Sequence, residues 1–176
     1  MKLGEAAPPL DLPDTTGAPQ SLPASGEAAA AVVIWTCNHC PYALAWHDRT
    51  VAVANEYADR GVRFLAVNSN DAERYPHDSP EAMRERVEAA PEEWPFPYLH
   101  DASQDAARAY GAKTTPHLYV FDSELRLAYE GAPDADHRDP SLDAAWLRDA
   151  LDAVLAGKSP ECAETEPVGC SVKWRS

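Results

Sequence analysis

The sequence predicts an α/β protein whose largely parallel sheet closes in an antiparallel hairpin. Three observations carry this. Two short apolar runs, 30–36 and 62–67, flank a helix-length amphipathic stretch, the alternation that builds parallel sheets from βαβ units. Two further apolar runs, 118–121 and 125–129, are joined by Asp122-Ser123-Glu124, a hairpin pattern. Two cysteines sit where the first apolar run meets the first helix, the edge at which open α/β sheets gather their chemistry.

Each element has its own local reason. Residues 1–28, rich in Pro, Gly and Ala, read as extended edge structure with a turn at 14–17. Residues 30–36, AAVVIWT, are β-branched and aromatic, which marks a buried central strand. Leu44, His47, Val51, Ala54 and Ala58 recur at helical spacing, so 41–60 is a helix, stopped by Gly61. Residues 62–67 form a second buried strand, and Asn68-Ser69-Asn70-Asp71 is its polar C-terminal loop. Ser79 caps a helix with Pro80 in its first position, running to about Ala90. A Pro/Trp-rich connection leads to a short strand at 98–100 and a short helix at 103–110, which Gly111 ends. After the hairpin comes a helix over 141–156, ended by Gly157. The expected organisation is one domain over 1–157 and a polar tail over 158–176.

Charge narrows the partners. Asp and Glu total 29 against 15 Lys and Arg, a net charge of −14 over 176 residues. No basic cluster offsets it, so phosphate backbones and anionic membrane surfaces are poor partners. No apolar run approaches the roughly 18 residues of a membrane span, and the N-terminus lacks the apolar core of a secretory signal. The expectation is a cytoplasmic protein, a compartment in which paired cysteines are more often catalytic or metal-binding than structural.

The strongest motif is Thr36-Cys37-Asn38-His39-Cys40-Pro41. Disulfide exchange needs one thiol to attack and a second close behind to resolve the mixed disulfide. Two intervening residues at a helix start supply that spacing. The expectation makes Cys37 the exposed attacker and Cys40 the resolving thiol one turn inside. The free N–H groups of the helix favour a thiolate, and a protonated His39 adds positive charge. Cysteines in such settings fall to roughly 3.5–7.5 from ~8.5, so Cys37 is expected to be thiolate at neutral pH. Zinc is the competing use of a CxxC. It ordinarily wants a second close ligand pair, whereas Cys162 and Cys170 stand eight apart, far downstream. No metal and no cofactor is expected.

Strand–WTCNHCPY–helix, followed by Thr115-Pro116 leading into a hairpin, resembles the thioredoxin superfamily. The opening Gly4-Glu5-Ala6-Ala7-Pro8 … Leu12 … Asp14 … Gly17 … Ser21-Leu22 is similar to its redoxin (AhpC/TSA) branch. CNHCPYA, VNSNDAERYPHDSPEAM and GCSVKW together resemble a peroxiredoxin-like thioredoxin subfamily, over about Gly4 to Trp174. The resemblance implies a thioredoxin-like three-layer α/β/α sandwich with a mixed sheet and an N-terminal redoxin extension. It implies that Cys37 and Cys40 are the redox couple, that Pro116 is a cis-proline facing them, and that Thr115 presents its backbone to an extended substrate. Thr36 stands where thioredoxins carry Trp, and Asn-His replaces Gly-Pro between the cysteines, which implies a less reducing couple. In a peroxiredoxin-type Pro-x-x-x-Thr-x-x-Cys alignment on Cys40, Val33 takes the Pro position and Cys37 the Thr position. Peroxidase activity therefore does not follow from the fold.

Other residues are weighed against plainer roles. Cys170 is a candidate third redox thiol reaching the site from the tail; pairing with Cys162 or an inert thiol are its alternatives. Asp71 reads as a solvated loop acid or cap, with assistance to Cys40 as the alternative. His117 reads as a packed strand histidine, Trp94, Trp146 and Trp174 as core or tail-docking aromatics, and the charged run 84–93 as a solvated helix face. The resulting expectation is a thiol–disulfide oxidoreductase acting on protein or small-molecule disulfides. A thiol peroxidase and a non-catalytic zinc module are the alternatives.

The negative field also steers small anionic thiols away. Reduction of the oxidised protein by glutathione should accelerate as salt screens that field. A rate independent of ionic strength in stopped-flow assays would contradict this.

Overall fold

The computed structural model describes residues 1–176. It opens with a small hairpin, β1 (Asp11–Pro13) against β2 (Pro19–Ser21). Asp14 makes the turn by accepting from the N–H groups of Thr16 and Ala18 through Oδ1. β3 (Ala30–Trp35) follows, then α1 (Pro41–Tyr57). A 3-10 turn at Ala58–Arg60 ends at Gly61, whose φ of 80° is a left-handed stop. β4 (Val62–Asn68) runs parallel to β3. α2 (Pro80–Ala89) is capped by Ser79, whose hydroxyl accepts from Ala82 N–H at 3.1 Å. β5 (Tyr98–His100), α3 (Asp105–Tyr110), β6 (Thr114–Thr115), β7 (His117–Phe121), β8 (Leu127–Gly131), α4 (Ala145–Leu155) and β9 (Cys170–Ser171) complete the chain.

The central sheet has the order β5-β4-β3-β7-β8. β5, β4 and β3 are parallel, and β7 and β8 are antiparallel additions. Every residue of β3 is buried, because both sheet faces are covered. The strand period divides them. Ala30, Val32 and Ile34 face a core shared with Val53 and Tyr57 of α1 and Leu147 and Leu151 of α4. Ala31, Val33 and Trp35 face Tyr110 of α3, Leu10 of the N-terminal segment and Val172 near the C-terminus. This is the three-layer sandwich, with its mixed sheet. No helix is long and apolar enough to cross a membrane.

Some details differ from the sequence reading. The second hairpin strand starts at Leu127 instead of 125, because Leu125 takes a left-handed φ of 59° in the turn. A bulge between Val120 and Phe121 shifts the register there. The last helix begins at Ala145, since Asp143 and Ala144 adopt positive φ and Ala144 donates its N–H to Asp134 Oδ2. Tertiary bonding overrides helical propensity at that step.

Residues 158–176 run along the body. Thr165 Oγ1 accepts from Ala132 N–H and bonds to Tyr129 OH. Gly131 allows this approach: a Cβ there would lie 2.0 Å from Thr165 Oγ1. β9 then pairs antiparallel with β6, and Val172 is buried in the core beneath it.

The loop before α4 hangs on one buried ion pair. Asp134 accepts from Arg49 Nη1 through both oxygens, from Trp46 Nε1, and from the N–H of Ala144 and Asp136. Both partners are buried. Asp134→Ala would strand the Arg49 charge and is expected to cost about 3–5 kcal/mol in urea unfolding; a loss under about 1 kcal/mol would refute the assignment.

Candidate active site

β3 delivers the dithiol loop. Thr36 N–H donates to Val67 O at 2.9 Å, extending the β3–β4 ladder past the end of β3. The chain then turns through 37–40 into α1, where Cys40 is the N-cap and Pro41 takes the first turn without needing an N–H partner. From the far side, the Thr115–Pro116 peptide, which is cis, closes over both sulfurs. Cys37 Sγ lies 3.3 Å from Thr115 Oγ1, and Cys40 Sγ lies 3.1 Å from Thr115 O.

Asn38 anchors the loop. Its N–H donates to Asp78 Oδ1 at 2.7 Å and its Nδ2 donates to His77 O at 2.8 Å. Its Oδ1 accepts from Tyr98 OH at 2.8 Å and from Arg86 Nη1 at 3.0 Å. Arg86 Nη1 also donates to Cys37 O at 3.1 Å, and its guanidinium rests over the Trp94 ring. Asp78 is fully buried and accepts further bonds from Asn68 Nδ2 and Asn70 Nδ2. The polar loop after β4 and the segment before α2 thus form a cradle of side chains around the CNHC turn.

Both cysteines are buried, Cys37 at 1% exposure and Cys40 at 0%. This corrects the expectation of an exposed Cys37. The anchored Asn38 loop and the Thr115 side chain cover its sulfur. The direction of ionisation is also the reverse of the expectation. The two sulfurs share a hydrogen bond, which lowers Cys40 from an ordinary 9.0 to about 4 and raises Cys37. Burial opposes ionisation of both. Asp78's charge further raises Cys37, while the Cys170 thiol and the amides of Ala43 and Cys170 favour the Cys40 thiolate. Thr115 O opposes it, since it accepts from the Cys40 thiol; the donors around the sulfur and the N-terminus of α1 outweigh that one oxygen.

The other sequence candidates fall as follows. His39 is partly exposed, with Nδ1 2.6 Å from Asp78 Oδ2 and its ring stacked over Tyr75. Any charge on its imidazole therefore meets Asp78 directly. Thr115 and Pro116 sit at the sulfurs, and Cys170 packs against the dithiol. Cys162 is exposed and bonds only locally, to Glu164 O. His117 is a packed strand histidine, bonded to Glu130 and stacked on Tyr119. Asp71 is buried instead of solvated; it accepts from Glu73 N–H and faces Arg175. The buried acid beside the dithiol is Asp78, which sequence reasoning missed, as it missed the inward turn of Arg86. The only local signal for Asp78 was an acid just before an N-cap. Cys37, His39 and Asp78 place their ligand atoms within 4.8 Å of one another and could hold a metal ion, although three N–H donors already aim at the Asp78 carboxylate.

With its five-stranded mixed sheet and flanking helices, the dithiol at a strand-to-helix turn and the cis-proline loop opposite, the chain has the thioredoxin-like fold. Within it, the redoxin family model matches residues 2–146, and the chain belongs to that family. No curated protein matches. Among solved structures, an uncharacterized conserved protein from Geobacillus kaustophilus is 40% identical, with a TM-score of 0.91 over 99% of this chain and 93% of that one. A hypothetical protein from Sinorhizobium meliloti 1021 is 36% identical, with a TM-score of 0.91 over 100% and 96%. Peroxidoxin BcpB from Mycobacterium tuberculosis, at 18% identity and a TM-score of 0.65 over 89% and 97%, shares the fold.

The lowered Cys40 sets a pH signature. The unfolded thiol keeps its ordinary value, so between pH 4 and 9 the folded reduced protein binds fewer protons. Its stability therefore rises with pH across that window and is lost as pH falls through about 4. Thiolate absorbance should appear with a midpoint near 4, vanish in Cys40→Ser, and move upward in Cys37→Ala, which loses the donated hydrogen bond. A midpoint above ~8.5 would contradict it.

Proposed function

We propose that the chain is a thiol–disulfide oxidoreductase in which Cys37 and Cys40 cycle between dithiol and disulfide, acting on disulfide-bearing peptides or small disulfides. The observation that carries this is the pair of buried cysteines packed together, with both sulfurs held against Thr115. It joins a nucleophile, a resolving thiol and a strand edge in one place. Membership of the redoxin family supports redox chemistry at that position.

The mechanism follows from the ionisation order, with Cys40 in the attacking role that the sequence reading gave to Cys37. The Cys40 thiolate attacks one sulfur of the substrate disulfide. The substrate S–S bond breaks, the departing sulfur leaves with the electron pair, and Cys40 holds the other half as a mixed disulfide. Cys37 then attacks Cys40 Sγ. Its proton passes to the second departing substrate sulfur, and the Cys37–Cys40 disulfide forms. The substrate gains two electrons and the dithiol loses two, to be restored by an external dithiol. Asn38, Arg86 and Asp78 hold the loop so that the sulfurs stay within reach of each other. His39 rests against Asp78 at the edge of the site.

The Cys37, His39 and Asp78 cluster favours a second reading, a metal-binding module. One experiment separates the two, in chains carrying Cys170→Ser so that no third thiol stands at the site. Turnover of a model disulfide should fall to the uncatalysed rate on adding either Cys37→Ser or Cys40→Ser, and Cys37→Ser should accumulate a mixed disulfide on Cys40. Retained turnover with Cys40→Ser would overturn the redox reading. Stoichiometric zinc that is lost in Cys37→Ser would favour the metal.

A further inference from the structure

The strand edge beside the dithiol is occupied from within the chain. Cys170 pairs with Thr115 and Ser171 with Thr114, antiparallel. This is the backbone at which an extended substrate would add as a strand. Gly169 lets the segment lie flat on the Thr115–Pro116 peptide. A Cβ at 169 would sit 2.2 Å from Thr115 O and 2.7 Å from its carbonyl carbon. Beyond the pairing, Val172 N–H donates to Lys113 O, and Lys173 N–H donates to Asn70 Oδ1. The segment is therefore clasped by Asn70, one of the residues that hold Asp78. At its head, Cys170 packs against Cys37 and Cys40.

We propose that segment 169–172 is an internal stand-in for the substrate, and that Cys170 exchanges with the Cys37–Cys40 disulfide to form a Cys40–Cys170 disulfide. The inference rests on the redox reading above and deepens it. In the exchange, Cys170 gives up its proton and attacks Cys40 Sγ. The Cys37–Cys40 bond breaks, and Cys37 departs with the electron pair and takes up a proton. One disulfide is exchanged for another, so no further oxidant is consumed. The product bolts β9 to the start of α1 and leaves Cys37 as a free thiol. The segment lies on the site with every thiol free, so an external peptide reaches Cys40 only when the segment lifts. The disulfide locks it down in the oxidised state, and reduction leaves it held by hydrogen bonds alone and able to lift.

The test uses the full chain with Cys162→Ser, which leaves three thiols. Reduced protein is treated with stoichiometric diamide, which accepts two electrons and two protons. It is then alkylated and its disulfides are mapped by mass spectrometry. With Cys37→Ser added, a Cys40–Cys170 disulfide should form, and with Gly169→Ala also present it should form about tenfold more slowly or less readily still. Cys40 and Cys170 that both remain alkylatable in the Cys37→Ser protein would overturn the proposal, as would equal formation rates with and without Gly169→Ala. A Cys170→Ser protein distinguishes the levels. If it forms Cys37–Cys40 while Cys37→Ser forms no bond, only the exchange falls. If it forms none, the underlying dithiol reading falls and takes the exchange with it.

Discussion

Two stretches of chain far apart in sequence converge on Thr115. Its hydroxyl meets Cys37, its carbonyl meets Cys40, and its backbone pairs with Cys170. Thr115 is 1% exposed, so these contacts are made away from water. Buried sulfur and backbone groups have no solvent to fall back on, so each takes its partner from within the protein. The positions of β3, β7 and the C-terminal segment are all constrained by that one requirement. Gly169 is the clearest sign, since any side chain there would strike the Thr115 carbonyl.

On the other side of the sulfurs, the cradle works by a similar logic. Asp78 is an acid placed where burial would ordinarily be costly. Donors from Asn38, Asn68 and Asn70 make the burial tolerable and fix the loop geometry. The same network reaches the C-terminus through Asn70 and Lys173, and through Gln104, which donates to Ser69 O and Lys173 O and accepts from Arg175 N–H. Dithiol loop and C-terminal strand are therefore coupled through shared hydrogen-bond partners. Movement of one perturbs the donors of the other.

Electrostatics at the site depend on position more than on total charge. The net −14 acts diffusely and is screened by salt. The buried Asp78 charge acts at short range through little water, and it acts against Cys37. Cys40, at the N-terminus of a long helix and ringed by donors, is the sulfur that gives up its proton. A CxxC spacing names the pair; the neighbours decide which member ionises more readily.

Much of the frame was legible in the chain itself. The apolar runs of β3 and β4, the Ser79-Pro80 cap and the Gly61 and Gly111 stops are local patterns with local physical causes, and the structure keeps each of them. The dithiol's place at a strand-to-helix turn was legible for the same reason. Asp78, Arg86 and the burial of Asp71 were not, because polar residues in loops and on helix faces look alike until distant partners arrive. Nor did the polar composition of 158–176 reveal that Cys170 completes a strand pair at the site. The sequence alone thus determined the layers and the place of the paired cysteines, through side-chain periodicity and residue spacing. Only the tertiary structure decided which sulfur is ionised, what shields it and which third thiol stands beside it. Those depend on contacts between residues more than 100 positions apart, which no local pattern encodes.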